Sequence, residues 1–391
     1  IYIEHNTGVW GQFYNADIRS SQPTSSTTYN NAWNSAYANL YSLRIIRDKC
    51  SEGGQEEGNY HTLGIAQILT AYNLAVITDV MGDVPWSEAS QPGVIFTPVL
   101  DSQQDIYEDI LALLDDAIDN LGKTTVYASL GTQDLIYGGD TDLWRKFANG
   151  LKARYKMRLS LKAPAYDAVI ADAEESFESP AEQAQFNYNG NSSQSPYYCM
   201  FQDRDYYGAS QSLHNKLIER NDPRDEVFFM PHPDAGGDLV FAPNGTANQV
   251  QGAYSISAIS TINAPTYLMS YHELEFLKAE AYVRLNNLPA AEESLKKAIT
   301  AAFGKANIGL TSTDAAGYFD SAVKPRFYAN LLSEVMNQKY IAFFEEEAIE
   351  AYNDYRRLKA MGDNVISLGN PLNANRFPLR YTYGSEDVTT N

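Results

Sequence analysis

Chemistry at neutral pH needs carboxylates, imidazoles, thiols or hydroxyls held at defined spacings. The chain carries 49 Asp and Glu, five His and two Cys among its 391 residues. It contains no P-loop, no H-E-x-x-H, no G-x-S-x-G and no C-x-x-C, and its histidines do not cluster. A glycosidase needs two carboxylates facing each other across a cleft. With so many carboxylates such a pair is always on offer, and no spacing singles one out. Asp203-Arg204-Asp205-Tyr206-Tyr207-Gly208 opens like a calcium loop. It fails at the fifth position, Tyr207, and at the twelfth, His214, where a bidentate Glu is required. Glu345-Glu346-Glu347 reads as a solvated helix turn whose side chains point apart. Cys50 and Cys199 read either as one disulfide or as two buried thiols, and neither belongs to a metal-type cluster. These spacings single out no catalytic residue, metal or cofactor site.

Binding chemistry is carried by the aromatics: 28 Tyr, 16 Phe and 4 Trp. Tyrosine offers a flat apolar face and a hydroxyl, which suits sugars and peptides and serves helical cores equally well. Trp10 and Tyr14 lie in an N-terminal segment of little periodicity, ahead of a Ser/Thr-rich stretch from Ser20 to Thr28. They read equally as core residues at helical spacing or as ligand contacts. From Asn187 to Pro265 the chain is rich in Asn, Gly, Pro, Ser and Tyr. A segment this long without regular structure is either functional or disordered. Tyr197, Tyr198, Tyr206, Tyr207, Phe241 and Tyr254 argue against disorder.

The elements that must position these residues are helical. Apolar residues at helical spacing predict helices over about 32–49, 62–81, 101–121 and 143–159, a polar one over 167–186, a short one over 212–220, a pair over 271–286 and 289–303, and a long one over 331–359. Short β-type pieces are expected at 238–241 and 253–256. Gly82 with Pro85 and Gly362 mark helix stops. The pair at 271–303 has the small-residue spacing of a tetratricopeptide hairpin. Seven basic residues between 145 and 162 read as a face paired with neighbouring carboxylates. Net charge is −20, which disfavours nucleic acid and anionic lipid as partners. No run of 18 apolar residues occurs. The first residue is Ile1 and not Met, as expected of a mature or truncated product whose signal peptide is gone.

Six stretches, in order, resemble one family. Gly82-Asp83-Val84-Pro85-Trp86-Ser87-Glu88-Ala89 resembles the "GDVPYSEA" wording of the SusD/RagB family, nutrient-capturing surface lipoproteins of Bacteroidetes. Leu143 to Leu159, Asn221 to Arg224, Met269 to Tyr282, Ala351 to Leu358 and Arg376 to Glu386 resemble its later motifs. The resemblance implies a mainly all-α, tetratricopeptide-like scaffold with a loop-rich ligand face bearing few short strands, here a single domain over 1–391. It implies no catalysis. It implies a cell-surface protein of the outer membrane, held by a lipid anchor that this chain does not contain. A SusC-like TonB-dependent transporter would receive an oligosaccharide, or second to it a peptide. Most matched motifs are scaffold: Glu350, Asp354 and Arg357 share a helix face and suit a structural ion-pair network, and Asp79 and Asp83 suit turn and cap roles. By position, the family's ligand loops fall on 8–30 and 187–265. Trp10, Tyr14, Tyr206, Tyr207 and Tyr254 would then stack on ligand, and Asp17, Arg19 and Asn248 would hydrogen-bond to it. The alternatives are a tetratricopeptide-type protein-interaction scaffold and, behind it, a glycoside hydrolase.

Overall fold

The computed structural model describes residues 1–20 and 29–385. The stretch from residue 21 to Thr28 and the last motif residue, Glu386, lie outside the described residues. In chain order the elements are β1 (Asn6–Gly8), α1 (Gly11–Asp17), α2 (Asn30–Cys50), α3 (Tyr60–Met81), α4 (Gln103–Leu121), α5 (Thr141–Arg158), α6 (Tyr166–Glu174), β2 (Ala184–Phe186), α7 (Pro196–Arg204) and β3 (Tyr207–Ala209). They continue with α8 (Gln211–Arg220), α9 (Asp225–Phe228), β4 (Phe229–Met230), β5 (Ile256–Ser257), β6 (Thr266–Met269), α10 (Tyr271–Arg284) and α11 (Leu288–Phe303). The last are α12 (Ser312–Tyr318), α13 (Lys324–Ala329), α14 (Leu331–Ala342), α15 (Ala348–Met361) and α16 (Asn373–Arg376). The fold is the expected helical one with short strands. The chain divides into two compact units, one of residues 1–22, 156–170 and 178–377 and one of residues 23–155, 171–177 and 378–391.

The second unit is built around α3. This helix has the length and hydropathy of a membrane span but is mostly buried within the protein, as a core helix is. It stops at Gly82, whose φ of 88° and ψ of −133° lie outside the left-handed helical region expected of the cap. Asp83 accepts from the Gln103 backbone N–H at 2.8 Å, so it caps the start of α4. Asp79 accepts from the Tyr107 hydroxyl. The Trp86 indole donates to Asp109 at 2.7 Å. Lys152, from the basic run, pairs with Asp115 and Asp172 as expected of a carboxylate-matched face. The stretch from Asp79 to Trp86 is therefore a joint of the scaffold.

The first unit rests on α10 and α11, an antiparallel hairpin whose turn uses Asn286 at φ 59°. Leu274, Phe276 and Ala279 face Ala291, Leu295 and Ala298 in a core closed to solvent. Beside it the ion-pair network expected from α15 is formed and buried. Arg357 donates to Glu280 at 2.7 and 2.8 Å and to Asp354 at 2.9 Å, and Lys339 pairs with Asp354 at 2.7 Å. Glu350 pairs instead with Arg158. The two cations hold the Asp354 carboxyl well below the usual range against its own desolvation.

Three expectations need correction. The polar helix expected over 167–186 ends at Glu174 and gives way to β2, which pairs antiparallel with β6. The residues 238–241 form no strand; Val240 and Ser255 instead bond reciprocally at 2.8 Å through the Ser255 hydroxyl and backbone. The helix expected over 331–359 is broken at 343–347, where Glu345 takes a φ of 71°. The glutamates of that break are not a solvated face. Glu345 is 1% exposed, Glu346 pairs with the buried Lys305 at 2.7 Å, and Glu347 accepts from His272 and Ser270 at 2.6 Å each. Desolvation opposes the Glu347 charge, yet the His272 imidazole beside it and its hydrogen bonds hold the carboxyl down at about 2. The three side chains do diverge, but each finds a buried partner that lies far away in sequence. Cys50 and Cys199 are free thiols.

Candidate ligand-binding site

The ligand-side segments meet in the first unit through a short two-stranded sheet. β1 and β3 pair antiparallel, with Asn6 opposite Ala209 and Gly8 opposite Tyr207. Beyond the pair, the Tyr206 carbonyl accepts from the backbone N–H of both Val9 and Trp10, at 2.9 and 3.2 Å. Gly8 is required here, since a Cβ would lie 1.9 Å from the Phe13 carbonyl oxygen as α1 turns back over the strand. This close turn delivers Phe13 to the tyrosines. Its ring lies 6.0 Å from Tyr206 and 5.5 Å from Tyr207, and Phe201 reaches Tyr207 from the other side at 4.3 Å. Trp10 is 37% exposed, and Tyr14 and Tyr206 are half-buried.

Under this cluster lies a cavity of about 360 Å³. Its walls are Phe13, Tyr207, Tyr197 and Met200, with Ala348 beside them. The rest of its lining comes from Ile1, Pro196, His5, Asn6 and Glu345. His5 Nε2 lies 2.9 Å from the Tyr340 carbonyl, so that nitrogen carries the proton and Nδ1 is an acceptor. Burial pushes the His5 imidazole down to about 3, so the ring is neutral. Asn6 donates through Nδ2 to Glu345 Oε1 at 3.1 Å, and Ser260 donates to Glu345 Oε2 at 3.1 Å. Desolvation nonetheless pushes the Glu345 carboxyl up to about 7. Among the described residues, His5 Nδ1 and Asn6 Oδ1 are buried with no hydrogen-bond partner.

The residues expected to bind ligand separate into two groups. Tyr206 and Tyr207 pack on Phe13 and Tyr207 lines the cavity, while Trp10 and Tyr14 flank Phe13 in the chain outside that lining, although nearly two hundred residues separate the two pairs. Asp17, Arg19 and Tyr254 are buried in the scaffold. Asp17 accepts from the Gly245 N–H at 2.6 Å, and burial pushes its carboxyl up to about 6. Arg19 donates to the Ala16 carbonyl and to Asn373 Oδ1 at 2.7 Å. Tyr254 packs with Val9, Ala242 and Ala247, and its hydroxyl accepts from the exposed Asn248 at 3.0 Å. Sequence reasoning did not single out His5, Asn6, Phe13, Met200 or Glu345. One signal was available for Met200, since Pro196 after Ser195 marks the first turn of α7.

A second cavity, of about 270 Å³, lies in the other unit and is lined by Arg44, Arg47, Trp86 and Ser87 among others. Its Arg44 is committed to the Ala89 carbonyl and to Asp48. Among the described residues no group of His, Cys, Asp and Glu is placed to hold a metal.

Comparison with known proteins gives these features a family. A SusD-like family model, described as "Starch-binding associating with outer membrane", matches residues 6–384. No curated protein matches the chain. Among solved structures, a SusD/RagB family protein from Bacteroides thetaiotaomicron is 43% identical with a TM-score of 0.93, over 100% of this chain and 88% of that one. A protein described as chitin-binding is 23% identical with a TM-score of 0.80, over 100% of this chain and 88% of that one. A chitin-binding SusD homologue from Flavobacterium johnsoniae is 22% identical with a TM-score of 0.72, over 91% of this chain and 79% of that one. These last two are alike in fold. With the family model matching nearly the whole chain, this protein belongs to the SusD/RagB family.

Proposed function

We propose that this protein binds glycans at the outer membrane and acts by capture without catalysis, handing its ligand to a SusC-like TonB-dependent transporter. The observation that carries the reading is an aromatic cluster built from distant segments: Phe13 and Tyr207 line one cavity, Tyr206 packs on Phe13, and the exposed Trp10 is tied to Tyr206 through the backbone. Pyranose rings present flat C–H faces that pack on aromatic rings, while their hydroxyls meet polar groups at the edge. An aromatic-walled cavity with polar groups in its lining suits that division. The family's description as starch-binding and the chitin-binding relatives support a glycan ahead of a peptide. The same description supports an outer-membrane location, and a lipid anchor is part of the proposal.

The test uses Trp10 as reporter. Glycan binding at this site changes the tryptophan fluorescence of the wild-type protein, and Trp10→Phe removes most of that change. A glycan and peptide panel in which nothing shifts the fluorescence or the melting temperature overturns the reading. Hand-off is tested separately, since deleting the partner transporter abolishes glycan uptake if the proposal holds. Uptake that survives the deletion contradicts it.

A further inference from the structure

The recess of about 270 Å³ in the second unit lies between the later turns of α2 and the turn that follows α3. Most of the hydrogen-bond donors around it are engaged. The Trp86 indole donates to Asp109 at 2.7 Å, and the Ser87 hydroxyl donates to Asp101 at 2.7 Å. Arg44 donates through Nη1 to the Ala89 carbonyl at 2.8 Å and lies 3.6 Å from Asp48. Arg47, one helical turn further on, differs. Its guanidinium lies 5.7 Å from the Trp86 ring centroid, and among the described residues it makes no hydrogen bond and no ion pair. Burial pushes this guanidinium down from its ordinary value and Arg44 adds to the effect, against the opposing pull of Asp48, Asp109 and Asp116. Arginine stays charged, so a half-buried cation with five N–H donors lines the recess without a protein anion in contact. A planar carboxylate meets that fork with two parallel hydrogen bonds, which a lone hydroxyl does not. Asp48, also on the lining, limits what comes with the carboxylate. It repels a second negative charge and accepts from hydroxyls, while Leu40 and the carbon of the Trp86 indole meet C–H surface. One carboxylate on a frame of hydroxyls and C–H faces is a uronic acid. An acidic peptide crowds its charges and offers few hydroxyls.

We propose that this recess is a second binding site, separate from the cavity beneath Phe13, and that it takes the carboxylate of a uronate residue on Arg47, with Asp48 accepting from a ring hydroxyl. The inference rests on the glycan-binding reading and adds a charged sugar to it. Arg47 is the ligand-contacting residue. Arg44, held by the Ala89 carbonyl, adds positive field beside it.

Calorimetry with trimers of galacturonate, glucuronate and mannuronate, each as the free acid and as the methyl ester, tests it. Wild-type protein binds at least one of the acids, and binds its methyl ester at least about tenfold more weakly, since the ester keeps the sugar frame and loses the charge. Arg47→Gln weakens the acid to the level of the ester, with a melting temperature close to that of the wild type because no hydrogen bond or ion pair is given up. The ester comparison needs no variant, so the conclusion does not depend on one variant's folding. Trp10→Ala with Tyr206→Ala leaves uronate binding in place. Equal binding of acid and ester, a preference for the acid that survives Arg47→Gln, or uronate binding lost in the Trp10 and Tyr206 double variant overturns the second site. A triglutamate peptide bound as tightly as the uronates, and equally dependent on Arg47, overturns the sugar assignment in favour of a carboxylate on any frame. Binding of neutral glycans without any uronate overturns the second site and leaves the glycan reading standing. Binding of no glycan, neutral or acidic, removes both readings together.

Discussion

Replacing Glu345 by Gln should stabilise this protein, and by an amount that depends on pH. Glu345 is 1% exposed at a backbone φ of 71°, in the break between α14 and α15. Its carboxylate loses more by desolvation than it recovers from Asn6 and Ser260, and its pKa is raised from 4.5 to about 7. The sign follows from linkage. A folded-state pKa above the unfolded one means that folding holds a proton the unfolded chain would release. The associated stability is fully present below about pH 4.5 and is lost as the pH rises through 7. At 1.36 kcal/mol per unit, the 2.5-unit difference (7 minus 4.5) amounts to about 3 kcal/mol. Glutamine is nearly isosteric, still accepts from Asn6 Nδ2, and never ionises. The gain from Glu345→Gln should therefore grow by about 3 kcal/mol between pH 4 and pH 8.5, whatever fixed offset the changed Ser260 contact introduces. Asp17, raised to about 6, and His5, lowered to about 3, give slopes of their own. Those slopes are common to both proteins and cancel in the difference. Urea unfolding of the two proteins across that range, without ligand, measures it. A difference that stays flat with pH, or one that falls as pH rises, refutes the burial argument.

Other perturbations probe the scaffold. Arg357→Ala should cost about 3–5 kcal/mol in urea unfolding, because it leaves Glu280 buried without its main cation and Asp354 with Lys339 alone of its two paired cations. Gly64→Val should lower the melting temperature and cost about 1–3 kcal/mol, since even a Cβ there would lie 2.7 Å from the Leu121 side chain where α3 meets α4. Tyr254→Phe removes the acceptor of the Asn248 N–H and should cost about 1 kcal/mol of stability while leaving glycan affinity unchanged, as calorimetry on the folded variant would show.

The long helices were legible because each buries a face long enough for its period to show, whereas the short α1, α7, α12 and α13 were not. The pair α10 and α11 was the clearest, with small residues at every close crossing. The break at 343–347 was not legible. Phe343 and Phe344 keep the helical pattern, and the glutamates that follow look like surface residues until Lys305 and His272 arrive from elsewhere in the fold. The strands were not legible either, since two to four residues hold no alternation and are fixed only by their partners. At the site, the large aromatics announced themselves as tyrosines and a tryptophan in irregular segments. The polar lining did not. His5 and Asn6 sit in a segment without periodicity, and their character depends on which of their own atoms Tyr340 and Glu345 occupy. The same short sheet explains why Asp17, Arg19 and Tyr254 are interior. They anchor the segment that presents Trp10 and Phe13 to the loops and termini packed behind it, through Gly245, Asn373 and Ala247.

The most direct test of the central claim is a calorimetric titration of oligosaccharides into the wild-type protein and into Trp10→Ala with Tyr206→Ala. Both side chains reach solvent, so the double variant should still fold, which its melting curve checks. The account predicts saturable, one-site binding of at least one glycan by the wild type, weakened at least about tenfold, or ~1.4 kcal/mol, in the double variant. Glycan binding that the double variant retains in full would contradict it and would place the site elsewhere on the molecule.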